Sequence, residues 1–501
     1  MFHGLPGYSG HYDRNTGSVL NDRPAYTEQK QQNTSGAYAG NKNASYESGK
    51  SSGNSTVKAP SGGKTGFGLM EKTFMDDLDR TIFPYVEYPG YPFRYPTHLP
   101  LIVTRKQIEE VRQVSGALYG IFAKAVRRAM ECSDSFMDDM EIPEKLRKYL
   151  HGGNAMKDLP TWISRFDYVI DEKTGAIHMV EINADTPCAE IEAYYANGVA
   201  ARYFGKENPN AFEMNGLRSF LLDVYLRCCG HMSSRQLEEH PILFSCFHDY
   251  IEDMGTTRFL MNAMKEAVPD DVRSHILFES FYNLAVMEDG SLALPDGRTV
   301  SFLYRMHPME ILIEEKADQD GSSLGELMME GYGAGRFHMM NPPESIIMQS
   351  KGFQALLYAL MEDHAFFSEK EQEIIRTYIP PCFFQRDFRP DEKSPSQWIR
   401  KPIWGREGRG IDIINEKGET LYRKEVEDPE DVVCRDSESS LVQQYIPQQK
   451  IVTKTDVGIL EGYVTLSCFM LGDRPSAIYA RFSEEKIAGN EAYWMPVLYE
   501  G

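Results

Sequence analysis

Residues 165 to 183 constrain the fold of this chain more than any other stretch. Arg165-Phe-Asp167-Tyr-Val-Ile alternates as a strand does, Asp171-Glu-Lys-Thr-Gly175 reads as a tight turn, and Ala176-Ile-His-Met-Val-Glu181-Ile-Asn183 alternates again. Strand side chains repeat every two residues, so Arg165 shares a face with Asp167 and Glu181 shares a face with Asn183. Pairing of the two strands brings Asp167, Glu181 and Asn183 to one patch. Two carboxylates and an amide oxygen are hard ligands, suited to a magnesium ion shared with substrate phosphates. The same pattern also fits a solvated hairpin face carrying one surface Arg–Asp pair.

The rest of the chain divides by composition. Gly, Ser, Asn and Thr fill 31 of the first 66 positions, and Leu, Ile and Val only four. Such a segment buries too little apolar surface to offset its ordering entropy, which predicts a disordered tail over residues 1–66. The folded body starts near Phe67. Thr104 to Gln107 forms a capping-box pattern, and Ile108, Val111, Val114, Leu118, Ile121, Phe122 and Ala125 follow at helical spacing. A second helix is predicted over 211–228 and a third behind the capping box Ser368-Glu-Lys-Glu371. Strands and hairpins are predicted at 242–247, 276–287 and 291–306, with turns at Asp289-Gly290 and Asp296-Gly297. Further strands are predicted at 398–404, 411–414, 441–446, 463–471 and 477–482. Helices and strands mix without strict βαβ alternation, which predicts an α+β fold.

Charge and cysteine usage exclude several functions. The 501 residues carry a net charge of −21, and because the first 66 are weakly basic the folded body carries −24. A chain this acidic is a poor partner for nucleic acid. No run approaches a membrane span, and the N-terminus has no signal-peptide pattern. The eight cysteines are scattered without a CxxC pair and the twelve histidines without HExxH, as expected of buried, reduced thiols in a cytoplasmic protein without a zinc site. Gly62-Gly63-Lys64-Thr65 lacks the first glycine and the preceding strand of a phosphate-binding loop.

A second chemical stretch is Ile399-Arg-Lys401-Pro-Ile-Trp-Gly405-Arg-Glu-Gly408-Arg-Gly410-Ile-Asp-Ile. Here a strand delivers a lysine, and a three-glycine loop lets backbone N–H groups approach an anion closely. A tight turn with basic decoration accounts for it equally well.

Taken together these stretches resemble the synthetase domain of glutathionylspermidine synthases and its stand-alone bacterial relatives, a branch of the ATP-grasp ligases. The resemblance is carried by RFD followed by EINADTP (181–187), by WIRKPIWGREGRGIDI (398–413), by LVQQYIP (441–447) and by YARFSEEKIAGN (479–490), in the family's order, between about Phe67 and Pro496. It decides both open readings in favour of function. It implies an ATP-grasp-like fold with permuted motif order, with a substrate region over 67–340 carrying the metal-binding hairpin and a nucleotide region over 341–501. By the same resemblance Arg165 reaches the phosphates, Asp167, Glu181 and Asn183 hold Mg²⁺, and Lys351 and Lys401 contact ATP beside the loop of Gly405, Glu407 and Gly408. Gln443, Gln444, Tyr445 and Ile446 would line the adenine, and Arg481 would meet the transferred phosphoryl group. Thr186 falls near the acid substrate, and Glu252 and Asp253 where acidic side chains face the substrates. Two features depart from the family: its bifunctional members carry an N-terminal Cys/His amidase domain, whereas the first cysteine here is Cys132, and Arg409 stands where relatives often have a small residue.

The implied activity is an ATP- and Mg²⁺-dependent carbon–nitrogen ligase. It would join a small, peptide-like carboxylic acid to an amine through an acyl-phosphate, with glutathione and a polyamine as candidate substrates. The acidic body suits a cationic amine as well as it suits plain solubility. Two alternatives stay open: a peptide or amino-acid ligase with a different amine, and a non-catalytic ATP-binding scaffold of the same fold.

Overall fold

The computed structural model describes residues 72–501 except 89–92, 132–133, 318–320, 363–364, 391–393, 407, 425–439, 490 and 501; before residue 72 it describes only the two-residue strands His3–Gly4, His11–Tyr12 and Val19–Leu20. The tail expected over 1–66 lies, those strands apart, outside the described residues.

An antiparallel sheet carries the predicted hairpin. Ile163–Ile170 pairs with Ile177–Asn183 on one side and with Gly458–Leu471 on the other, and Arg474–Ser483 and Tyr493–Trp494 continue the sheet. Seven of the eight residues of Ile163–Ile170 are buried, because a central strand is covered on both faces. On one face lies the helix Arg105–Met130, capped by Thr104 and Gln107 as expected, which buries Ile108, Val111, Leu118, Phe122 and Ala125. Phe122 packs 5.5 Å from Phe166 of the central strand, and Ser115 bonds to the Tyr168 hydroxyl at 2.7 Å. Each large apolar side chain so buried contributes about 1.5–3 kcal/mol relative to exposure.

Two smaller sheets flank this body. In one, Cys382–Phe384, Ser440–Gln444, Gln397–Pro402, Asp412–Asn415 and Thr420–Arg423 run antiparallel, which puts Lys401 and Gln443 on neighbouring strands. The other is parallel: His338–Met340, Phe302–Arg305, Ile242–Cys246 and Ile276–Ser280. The Asp289-Gly290 turn does join a hairpin, Ala285–Val286 with Leu292–Ala293, and Gly290 takes φ +79° there. The longer predicted strands around it depart from a hairpin, since Ile276–Ser280 and Phe302–Arg305 both flank Ile242–Cys246 instead of each other. Apolar runs signal a strand without naming its partner, and these runs are buried by pairing with a distant segment. The fold is therefore mixed α+β, with one parallel layer that local pattern does not disclose.

Two buried polar side chains join these layers. Asn341 Oδ1 accepts from the Trp162 and Ile163 N–H groups at 2.9 Å, and its Nδ2 donates to the carbonyls of Ile163, Ala184 and Asp185. Asp185, immediately beyond the hairpin, accepts from Arg305 at 3.0 Å, from the Met309 N–H at 2.8 Å and from Ser345 Oγ at 3.0 Å. Neither Asp185 nor Arg305 has an exposed side chain. Burial works to raise the Asp185 pKa, and Arg305 outweighs it and holds the carboxyl below its ordinary value. The stability it contributes is full above the ordinary carboxylate pKa and is lost as pH falls through the lowered value. Asp185→Ala, which leaves Arg305 charged and unpaired in the core, is expected to cost about 3–5 kcal/mol in urea unfolding, and Asp185→Leu combined with Arg305→Met to recover most of it.

Candidate functional site

One cavity of about 440 Å³ lies where the hairpin, the Lys401 strand and the Arg474–Ser483 strand meet. Its floor is the hairpin. The register sets Arg165 opposite Asn183 and Asp167 opposite Glu181, with an irregularity just after Asp167 that shifts the later pairs. Arg165 Nε and Nη2 donate to the two oxygens of Asp167 at 2.8 and 3.0 Å, Asn183 Nδ2 donates to it at 3.2 Å, and Arg481 Nη2 lies 3.5 Å away. Asp167 is fully buried beneath these groups, whereas Glu181 and Asn183 face the cavity. Arg165 also donates to the Cys188 carbonyl at 2.7 Å. Burial disfavours its charge, but Asp167 keeps the guanidinium above its ordinary pKa.

Two lysines lie near Glu181. Lys351 sits between the helices Ser345–Gln349 and Gly352–Glu362, where its Nζ reaches Glu181 Oε1 at 3.2 Å and donates to the Gly405 carbonyl. Lys401 Nζ donates to Gln443 Oε1 at 2.8 Å and to the Val180 carbonyl at 3.1 Å. Burial pulls the Lys401 pKa down to about 8 against the attraction of Glu181. Burial works the other way on Glu181, but Lys351, Lys401 and Arg481 outweigh it and bring that carboxyl to about 2. Three cations thus surround the Glu181 carboxylate.

The glycine loop closes one side. A Cβ on Gly405 would lie 2.5 Å from Pro402 Cγ. Gly408 takes φ +72°, and a Cβ there would lie 2.7 Å from the Ala488 carbonyl oxygen. Both positions therefore require glycine. Arg406 anchors the loop to Glu310.

Of the residues singled out from sequence, Arg165, Glu181, Asn183, Thr186, Glu252, Asp253, Lys351, Lys401, Gly405, Gly408, Gln444, Tyr445, Ile446 and Arg481 line this one cavity. Asp167 and Gln443 lie behind its wall. The Gln443 side chain has no exposure and is held by Lys401 and Gln354, so its contribution is to position Lys401. Glu407 lies outside the described residues. Glu252 and Asp253 reach the cavity from the first turn of the helix Ile251–Ala267. Sequence reasoning missed Gln349, whose Oε1 accepts from the Ala184 and Asp185 N–H groups and which also lines the cavity. It missed Tyr85, Tyr88, Tyr95, Glu192 and Tyr479 as well. The first three tyrosines come from irregular chain with no periodic signal, and Glu192 lies only five residues beyond the EINADTP motif.

The donor set fits a magnesium ion. Two carboxylates and an amide meet at adjacent register positions, and among the described residues no group of three or more His, Cys, Asp or Glu side chains forms a complete metal cage. Such a partial set suits an ion that takes its remaining ligands from phosphate and water.

The chain is similar to a glutathione synthetase-like effector from Globodera pallida, solved in its apo form, at 13% identity and a TM-score of 0.50, over 81% of this chain and 90% of that one. It also aligns with a protein assigned as a gamma-glutamylcysteine synthetase from Methylobacillus flagellatus at 9% identity and a TM-score of 0.39, over 79% and 87%. A sequence profile described as glutathionylspermidine synthase preATP-grasp matches residues 89–500. That match takes in the hairpin, both lysines, the glycine loop and Arg481, and the chain belongs to the glutathionylspermidine synthase preATP-grasp family.

Proposed function

We propose that the protein is an ATP- and Mg²⁺-dependent ligase that joins a small, peptide-like carboxylic acid to an amine, releasing ADP and phosphate. The observation that carries this reading is the convergence of Asp167, Glu181 and Asn183 with Arg165, Lys351, Lys401 and Arg481 around one cavity. Membership of a synthetase family supports it.

In this reading ATP lies between the glycine loop and the Lys401 strand, with its adenine against Gln444 to Ile446. Bound magnesium supplies Lewis-acid stabilisation of phosphate charge, and Asp167, Glu181 and Asn183 are the residues that would hold it. Arg165 exchanges its bonds to Asp167 for bonds to phosphate, which uncovers the carboxylate. Arg481 and Lys401 offset charge as the γ-phosphoryl group passes to the acid's carboxylate. The loop anchored by Arg406 and Glu310 excludes water, which would otherwise hydrolyse the acyl-phosphate. An amine then displaces phosphate and the amide forms. Glu252 and Asp253 in the cavity wall draw a cationic amine such as a polyamine, and Thr186 orients the acid, with glutathione a candidate. Among the described residues no helix is long and apolar enough to cross a membrane. Six described cysteines are free, which supports a reducing, cytoplasmic setting.

ADP release across acids (glutathione, γ-glutamyl peptides, amino acids) crossed with amines (spermidine, putrescine, amino acids) is expected only where both partners are present. Asp167→Asn is expected to lower that rate roughly 10²–10³-fold with the fold intact. ATP-induced thermal stabilisation with no ADP from any pair would favour the scaffold reading instead.

The Lys401 pKa of about 8 gives a second test. Phosphate charge restores the lysine proton, so ATP binding at pH 8 takes up about half a proton, read from the buffer dependence of the calorimetric enthalpy. Lys401→Met is expected to abolish that uptake.

A further inference from the structure

One wall of the cavity is aromatic and holds a carboxyl that the mechanism above does not use. The rings of Tyr85, Tyr88 and Tyr95 lie 5.9–6.1 Å from one another, all three facing the cavity. The Tyr85 hydroxyl donates to Glu192 Oε2 at 3.0 Å, and the Tyr95 hydroxyl lies 3.3 Å from that of Tyr479. The Tyr479 ring in turn carries the Arg165 guanidinium 5.5 Å from its centroid. Three rings, those of Tyr85, Tyr95 and Tyr479, therefore link Glu192 to the arginine assigned to phosphate.

The backbone that presents Glu192 is unusual at two points. Ala189 takes φ +86°, a conformation that a residue with a Cβ rarely adopts, and Glu192–Ala196 forms a π-helical turn. Strained residues and π-turns persist where the surrounding structure fixes a functional side chain. The neighbouring Glu190 is fully buried and neither of its oxygens has a hydrogen-bond partner. Tyrosine rings beside a buried carboxyl make an environment that attracts an organic cation, through the aromatic quadrupoles and the charge together.

We propose that Glu192 receives the protonated nitrogen of the amine substrate within this tyrosine cage and takes the proton that frees the nitrogen to attack. The proposal rests on the ligase reading. The ammonium gives one proton to the Glu192 carboxylate. The freed lone pair forms the C–N bond as the C–O bond to phosphate breaks, and the second nitrogen proton leaves with the phosphate. The groups facing Glu192 are Tyr85, Tyr95, Tyr479, Arg165, Glu190 and Cys188. Burial raises its pKa to about 7, with the hydrogen bonds from Tyr85 and Tyr95 and the charge of Arg165 opposing. A base titrating there exchanges protons near neutral pH.

The test combines binding and turnover in the full chain. Spermidine, putrescine and lysine are titrated calorimetrically in the presence of Mg²⁺ and ADP, against the wild type and Glu192→Gln. At least one amine is expected to bind, with affinity at least ten-fold weaker in Glu192→Gln and an unchanged ADP-induced shift in Tm. In turnover, the wild-type kcat is expected to fall as pH drops below about 7, and Glu192→Gln to lose that limb. Tyr85→Phe keeps the ring but removes a hydrogen bond that lowers the Glu192 pKa, so it moves the limb to higher pH. No binding of any of the three amines, equal affinity in Glu192→Gln, or an unaltered pH limb in both variants overturns the proposal. Glu192-dependent amine binding without ADP formation from any acid overturns the ligase reading and leaves the cage standing, whereas turnover indifferent to Glu192 does the reverse.

Discussion

The buried ion pair of Asp185 and Arg305 is the constraint on which the rest of this structure depends. Neither side chain reaches solvent, and the carboxylate also takes a backbone N–H and a serine hydroxyl, so its hydrogen-bonding capacity is well used. A buried ion pair contributes little net stability compared with apolar residues, but it tolerates very few arrangements. Here it fixes the segment leaving the Arg165–Asn183 hairpin against the parallel sheet, and Asn341, which follows an edge strand of that sheet, ties the start of the hairpin to the same segment. The hairpin that carries Asp167, Glu181 and Asn183 is thus clamped at both ends by groups that do no chemistry themselves.

That rigidity gives meaning to the electrostatics of the cavity. Arg165 covers the fully buried Asp167 and Lys351 pairs with Glu181, so each carboxylate has its own cation. In the proposed reading a magnesium–nucleotide would exchange with both pairs at once, the carboxylates holding the metal and the cations the phosphates. Lys401 adds a responsive element, because burial has already brought its pKa down to about 8. On that reading the site is preorganised for an ion and a polyphosphate together more than for either alone.

Much of this was legible in the sequence wherever the signal was local. The Arg165–Asn183 hairpin, the Thr104-capped helix and the Ser368 capping box follow from spacing and from side-chain-to-backbone bonds within a few residues, and the structure has all three. The parallel sheet was not legible, because Ile276–Ser280 and Phe302–Arg305 owe their positions to a strand distant in sequence. At the site, most of the motif residues singled out line the cavity, whereas Gln443 holds Lys401 instead of facing it. The tyrosine wall was invisible for a related reason: Tyr85, Tyr88 and Tyr95 belong to irregular chain whose course is set by distant contacts, such as that of Phe83 with Trp494.

The central proposal is that the acid's carboxylate is phosphorylated before the amine attacks it. It is tested most directly by following oxygen in a full reaction of glutathione, labelled with ¹⁸O in its glycyl carboxylate, with spermidine and Mg²⁺-ATP. Transfer of one labelled oxygen into the released phosphate is the predicted result, since the C–O bond of an acyl-phosphate breaks on the carbon side. Amide formed with all label retained outside the phosphate would contradict the account.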